Sequence, residues 1–185
     1  INDITERKKK KEALRDSLKR YRFIAEQPGQ MIYDYDILSG KINWSGDVEG
    51  VTGFTYENFQ SVDISSWENL IHPDDRENAL ILLDNAMKNG EKYDINYRFK
   101  CKDGTYKFIE DNGYFLLDKK GKAYQMLGIM KDIAERKQSE QLNTILYNIS
   151  RSANSSISLK QLYPLIHQEL GKIIDTTNFY IALLD

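Results

Sequence analysis

Tyr93-Asp94-Ile95-Asn96-Tyr97-Arg98-Phe99-Lys100-Cys101, followed by Lys102-Asp103-Gly104, decides the architecture. Apolar and aromatic side chains fill every second position and polar ones fill the gaps, the period of two that marks a half-buried β-strand. Asp103-Gly104 is a strong hairpin turn, so the chain returns along a second strand from Thr105 to Leu117. Asp118 to Gly121 turns it once more, into a strand from Lys122 to Lys131. Upstream, His72-Pro73-Asp74-Asp75-Arg76 opens a helix. Pro73 fits the first helical position, and Asp74 and Asp75 sit where the helix dipole favours carboxylates. Leu80, Leu83, Ala86 and Met87 mark one face of that helix until Asn89-Gly90 stops it. Asp47 to Ser66 reads as short helices and loops, with Gly53 a left-handed cap before Phe54 and a second helix over Glu57 to Val62. Met31 to Asp36 and Lys41 to Trp44 are two short strands around Ser39-Gly40. The order predicts an α+β domain: a five-stranded antiparallel sheet with helices between its second and third strands.

Outside that block the pattern is helical. Leu14, Leu18, Tyr21 and Ile24 form a narrow apolar stripe on a helix from about Glu6 to Glu26, which Pro28-Gly29 ends. Leu142, Ile145, Ile149 and Ala153 form a second stripe, ending near Asn154-Ser155-Ser156. A third amphipathic helix carries Leu162, Ile166, Leu170, Ile173 and Ile174, with Pro164 just beyond its first turn. Asn178 to Leu184 is rich in strand formers. Stripes this narrow are of coiled-coil type and predict a parallel homodimer held by the helices flanking the sheet domain.

The chain also echoes itself. Asp3-Ile4-Thr5-Glu6-Arg7-Lys8 returns as Asp132-Ile133-Ala134-Glu135-Arg136-Lys137, a spacing that suits one whole domain rather than a solenoid repeat. The first copy reads as the tail of a preceding domain of the same kind.

Composition removes most other functions. With 26 basic against 28 acidic side chains and a formal charge of -2, nothing marks a nucleic-acid partner. The run Arg7 to Lys11, flanked by Glu6 and Glu12, reads as a solvated helix face. The single cysteine, Cys101, excludes an internal disulfide and a multi-cysteine metal site. The N-terminus is charged and no apolar run approaches the roughly 20 residues of a membrane span, so a cytoplasmic fragment without membrane contact is expected, even where its parent is anchored. No glycine-rich phosphate loop, nucleophile elbow or histidine–serine pairing supports an enzyme.

Residues from about Ile24 to Lys137 resemble a PAS domain of the type repeated in sensor kinases. The resemblance rests on Asp36 with Ser39-Gly40, Gly53-Phe54, the His72-to-Arg76 helix start and Tyr97-Arg98 before Asp103-Gly104. It continues with Asp118 and Gly121, and with Gly128 before the Asp132-to-Lys137 segment, a PAC-like motif. One departure is Ala134, where the family usually has Thr. Leu142 to Asp185 is similar to the opening of a GAF domain, with a plain helical linker as the other reading. The expected layout is therefore residues 1–23 as the tail of a preceding PAS domain and linker helix, 24–137 as the PAS domain, 138–156 as a signalling helix, and 157–185 as the truncated start of a GAF domain or a linker.

The resemblance implies a sensory input module of a multidomain regulator, itself not an enzyme. The helix after Asp132 would relay the signal, with Asp132, Ile133, Glu135 and Arg136 at the junction. The parent is expected to be a histidine kinase of a two-component system; the alternatives are a cyclic-dinucleotide synthase, or a dimerisation scaffold that binds nothing. Light-sensing flavin relatives need an asparagine-cysteine-arginine segment in the helical region, and Cys101 lies in a strand instead. Haem relatives present a histidine from the long helix, and Asp75 to Asn89 holds none. His72 reads as a helix-start residue and His167 as an ordinary position on an amphipathic helix. Neither haem nor covalent flavin is expected, which leaves an unidentified small molecule. Trp44, Phe59, Trp67, Tyr97, Phe99, Phe108, Tyr114 and Met126 are the aromatic and sulfur-bearing candidates to line its pocket.

Overall fold

The computed structural model describes residues 27–154 and 159–171. The expected helix Glu6–Glu26 with its stripe, the first copy of the echo and the expected strand Asn178–Leu184 lie outside those residues. The described chain divides between Ile133 and Ala134 into two units.

The first unit carries β1 (Gln30–Asp36), β2 (Ile42–Gly46), α1 (Val48–Thr52), α2 (Tyr56–Phe59), α3 (Ile64–Leu70), α4 (Pro73–Asn89), β3 (Tyr93–Lys100), β4 (Tyr106–Leu117) and β5 (Ala123–Asp132). The strands form one antiparallel sheet in the order β2-β1-β5-β4-β3, with the helices inserted between its second and third strands. The expected α+β PAS fold is therefore the fold observed. β1 and β5 sit side by side although they stand at opposite ends of the domain's sequence, so closing the sheet ties the two ends together.

Local chemistry fixes the helices. Asp47 caps α1, accepting from Gly50 N–H at 3.0 Å, and also accepts from Gly29 N–H at 2.7 Å, which pins the start of β1 to the helix. Gly53 closes α1 at a φ of 73°, in the left-handed region expected of it. His72 caps α4 through Nδ1, which accepts from the Asp74 N–H at 3.2 Å, with Pro73 next in line, so the sequence reading of His72 holds. Asp75, in the first turn of α4, grips β3: its Oδ2 accepts from Arg98 N–H and Nε–H at 2.9 and 2.8 Å, and its Oδ1 from Nη2 at 2.7 Å. Those charge-assisted bonds hold the Asp75 carboxyl below the usual carboxylate range.

One face of the sheet and the inner sides of the helices make the core. Met31, Tyr33, Trp44, Phe59, Trp67, Tyr97, Phe99 and Met126 are buried in it. Rings meet edge to face along it: Tyr33 on Trp44, Trp44 on Phe59, Phe59 on Phe99 and Trp67 on Tyr97.

The second unit consists of α5 (Ala134–Asn154) and α6 (Leu159–Leu170), which pack on each other. Asn148 donates to Glu169 Oε2 across them at 3.3 Å. The helix expected from Asp132 begins at Ala134 instead. The Asp132 N–H still donates to Gly29 O at 2.8 Å and the Ile133 N–H to Phe108 O at 3.0 Å, so both residues belong to sheet pairing and the helix starts after them.

The buried carboxylate and the cavity beside it

Four elements converge on one acid. Asp111 lies in the middle of β4, points into the core and is 1% exposed. Tyr33 from β1 donates to its Oδ1 at 2.8 Å, and Tyr97 from β3 donates to its Oδ2 at 2.7 Å. The Trp67 indole N–H of α3 donates in turn to the Tyr97 oxygen at 3.1 Å. A hydrogen-bond chain thus runs Trp67–Tyr97–Asp111–Tyr33, and the Tyr33 hydroxyl also stands 4.0 Å from the Met126 sulfur on β5.

The electrostatics follow from burial. Removal from water pushes the Asp111 carboxyl up to about 7, even though the Tyr97 and Tyr33 hydroxyls both favour its charged form; the field of Asp94 adds to the rise. Burial, and then the nearby Asp111, push the Tyr33 and Tyr97 phenols well above their ordinary range. Tyr93 is displaced upward for the same two reasons.

Two glycines make room for Tyr33. Gly113 and Gly128 face each other across β4 and β5, and Gly128 pairs with Tyr33 in β1. A Cβ on Gly128 would overlap the Tyr33 ring and lie 2.7 Å from the Asn112 carbonyl oxygen; one on Gly113 would lie 2.6 Å from the Tyr33 hydroxyl. The phenol lies over the bare glycine backbone, and that placement carries its hydroxyl to Asp111.

Beside this cluster is a cavity of about 20 Å³ lined by Tyr33, Trp44, Trp67, Tyr93, Asp111 and Met126, with Tyr35, Ile42, Ile64 and Leu83 completing its wall. Since a water needs roughly 10–15 Å³ measured this way, the space suits a water-sized guest and not a metabolite.

Of the residues the sequence nominated for a pocket, Trp44, Trp67 and Met126 line the cavity. Phe59, Tyr97 and Phe99 are buried nearby without lining it. Phe108 and Tyr114 are a correction: they are 45% and 62% exposed, on the opposite face of the sheet. The reason is register. A two-residue Asp103-Gly104 turn would set Phe99 opposite Phe108 and Tyr93 opposite Tyr114. The actual loop has three residues, closed by Cys101 N–H to Thr105 O at 2.8 Å, with Gly104 at a φ of 86°. Phe99 then faces Lys107 and Tyr93 faces Gly113, and a slip of one residue exchanges the faces of β4. Inward on β4 are Ile109, Asp111, Gly113 and Phe115.

At the junction, Asp132 accepts an ion pair from Lys107 Nζ at 3.0 Å, and Ile133 is buried. Glu135 is exposed, and Arg136 Nε lies 3.7 Å from Glu140 Oε1, one turn further along α5. Sequence reasoning did not single out Asp111, Tyr33 or Tyr93.

Comparison with known proteins agrees with this architecture. Residues 41–130 match the family model described as PAS fold. An uncharacterized protein of Sinorhizobium fredii is 31% identical over 76% of this chain and 17% of its own length. A methyl sulfide methyltransferase-associated sensor of Methanosarcina acetivorans is 30% identical over 55% of this chain and 11% of its own. A crystal structure of a sensory box histidine kinase/response regulator from Burkholderia thailandensis superposes with a TM-score of 0.57 at 22% identity, covering 72% of this chain and 98% of that one. The chain spans less than a fifth of the length of either curated relative.

Proposed function

Because the chain contains a PAS domain, we propose that it is the sensory input module of a longer cytoplasmic regulator and has no catalytic activity of its own. The observation that carries this reading is the path of β5. The strand holds Met126 and Gly128 against Tyr33 in the core, ends at Asp132 under Lys107, and continues through buried Ile133 into α5. A change around Tyr33 bears on the strand that runs directly into a 21-residue helix. The output domain is a histidine kinase in this reading, which rests on the resemblance to the PAS domains of sensor kinases; a cyclic-dinucleotide synthase would use the same input. Residues from 157 onward open a GAF domain, and α6 fits the helical start that such a domain has. No described helix is long and apolar enough to cross a membrane.

A second reading has its own support. A cavity of about 20 Å³ holds no metabolite as it stands, which favours a scaffold that sets dimer geometry and binds no organic ligand. Replacing the first unit of the parent protein by an unrelated parallel coiled coil in register with α5 separates the two. The sensory reading predicts output that no longer responds to conditions; full retention of regulation would establish the scaffold instead.

A further inference from the structure

The core spends a buried carboxylate where an apolar side chain would pack without cost. Burying an acid is expensive unless it is paired or neutral, and the groups around Asp111 bring no positive charge to it. From β1 it meets Tyr33, from β3 Tyr97 with Tyr93 behind and the more distant charge of Asp94, and from β5 its ladder partner Met130, with Met126 lining the same cavity. From the helices it meets Trp67 of α3 through Tyr97 and, across the cavity, Leu83 of α4. Tyrosine hydroxyls serve either state of an acid, since each can donate to a carboxylate and accept from a carboxylic acid.

The geometry allows that exchange on one side only. Tyr97 is fixed as a donor to Asp111, because its oxygen already accepts from Trp67. Tyr33 is free to reverse, because the Met126 sulfur stands at 4.0 Å as a second acceptor for its hydrogen. The cavity touches Asp111 and is large enough for a water-sized proton carrier.

We propose that the Trp67–Tyr97–Asp111–Tyr33 chain is a proton-responsive element: Asp111 takes up a proton from solvent on Oδ1 and donates it to the Tyr33 oxygen, and Tyr33 turns its own hydrogen to the Met126 sulfur. No covalent bond other than O–H changes, and the net reaction is uptake of one proton. Neutral and charged Asp111 then differ in the orientation of Tyr33, the side chain seated on Gly128 of β5. The placement of the carboxyl near neutrality agrees with this. The inference deepens the sensory reading by naming the proton as a ligand of that core, and it rests on that reading only for its consequence.

The test is NMR of the full 185-residue chain carrying ¹³C-labelled aspartate and ¹⁵N-labelled tryptophan, titrated from pH 5 to 9. One aspartate γ-carbon, absent in Asp111→Asn, should titrate with a midpoint near 7, and the Trp67 indole signal should move with the same midpoint. Tyr33→Phe removes a charge-assisted bond to the carboxylate and a weaker neutral bond from the acid, so it should raise proton affinity about threefold, moving the midpoint up by roughly half a pH unit. This variant assigns the resonance even where Asp111→Asn does not fold. If every aspartate has finished titrating by pH 5.5, or if the Trp67 signal stays still while Asp111 titrates, the proposal is overturned. The domain replacement described above decides the sensory reading separately, so either can fail without the other.

Discussion

At the scale of single residues, Asp111 makes stability depend on pH in a direction opposite to most carboxylates. Its carboxyl is pushed up to about 7 in the folded protein and returns to the ordinary value of about 4 when unfolded. Between those values the folded state binds the proton more tightly. Its contribution is therefore full below about pH 4, declines through the window up to 7, and is gone above it. The size is on the order of 4 kcal/mol. Asp36, Asp63, Asp75 and Asp103 are all held below the ordinary range, chiefly by hydrogen bonds, so what they add is lost only as pH falls below about 4, outside this window. We expect the urea midpoint of the wild type to fall between pH 5 and 8, and that of Asp111→Asn to stay nearly level. Parallel curves for the two proteins would show that Asp111 does not titrate in this range. Sequence could not nominate this residue, because an acid within Ile109-Glu110-Asp111-Asn112 reads as solvent-facing. Both parities of β4 offer apolar positions, Ile109 and Phe115 against Phe108 and Tyr114, so alternation alone does not choose the inner face. Only the register of the three-residue turn does, and Asp103-Gly104 by itself does not announce the third residue.

At the scale of elements, the strands and the long helix were legible and the contacts between them were not. Tyr93 to Cys101 alternates strictly because β3 has one buried and one solvated face, and His72-Pro73-Asp74-Asp75 announces α4 because every residue in it suits a helix N-terminus. The pairing of β1 with β5, distant in sequence, leaves no local mark except a glycine, Gly128, whose reason is the Tyr33 ring above it. That contact carries a prediction. A methyl at Gly128 meets both the ring and the Asn112 backbone oxygen, and the backbone cannot move aside without breaking the β4–β5 ladder. A methyl at Gly113 meets the Met126 methyl and the Tyr33 hydroxyl, the far ends of side chains that can shift. Gly128→Ala should therefore cost about 3 kcal/mol or more by chemical denaturation, and Gly113→Ala clearly less. Equal costs, or the reverse order, would mean that Tyr33 does not hold the position described.

For the whole molecule, the outstanding question is what covers the apolar surface of α5. α5 runs for 21 residues with Leu142, Leu146 and Tyr147 between 43% and 64% exposed, while Ile145 on the same helix is buried. Leu142 and Leu146 are one turn apart and so form a continuous strip. α6 packs on α5, with a hydrogen bond at Asn148, yet leaves that strip open. The sequence supplies a comparable stripe ahead of the domain, at Leu14, Leu18 and Tyr21, outside the described residues. Burying such a strip against its symmetry mate removes the exposed half of two leucines per chain from water, at roughly 1 kcal/mol for each before the cost of association. That gain favours self-association of α5. A two-fold parallel arrangement also suits a relay, because both copies would then present their outgoing helices in the same direction. We expect sedimentation equilibrium to show a monomer–dimer equilibrium. Leu142→Glu with Leu146→Glu should shift it toward monomer by at least tenfold in Kd, while the pH dependence of core stability stays as in the wild type. A wild type that stays monomeric to several hundred micromolar would remove the dimer, and the relay would then have to pass along a single helix.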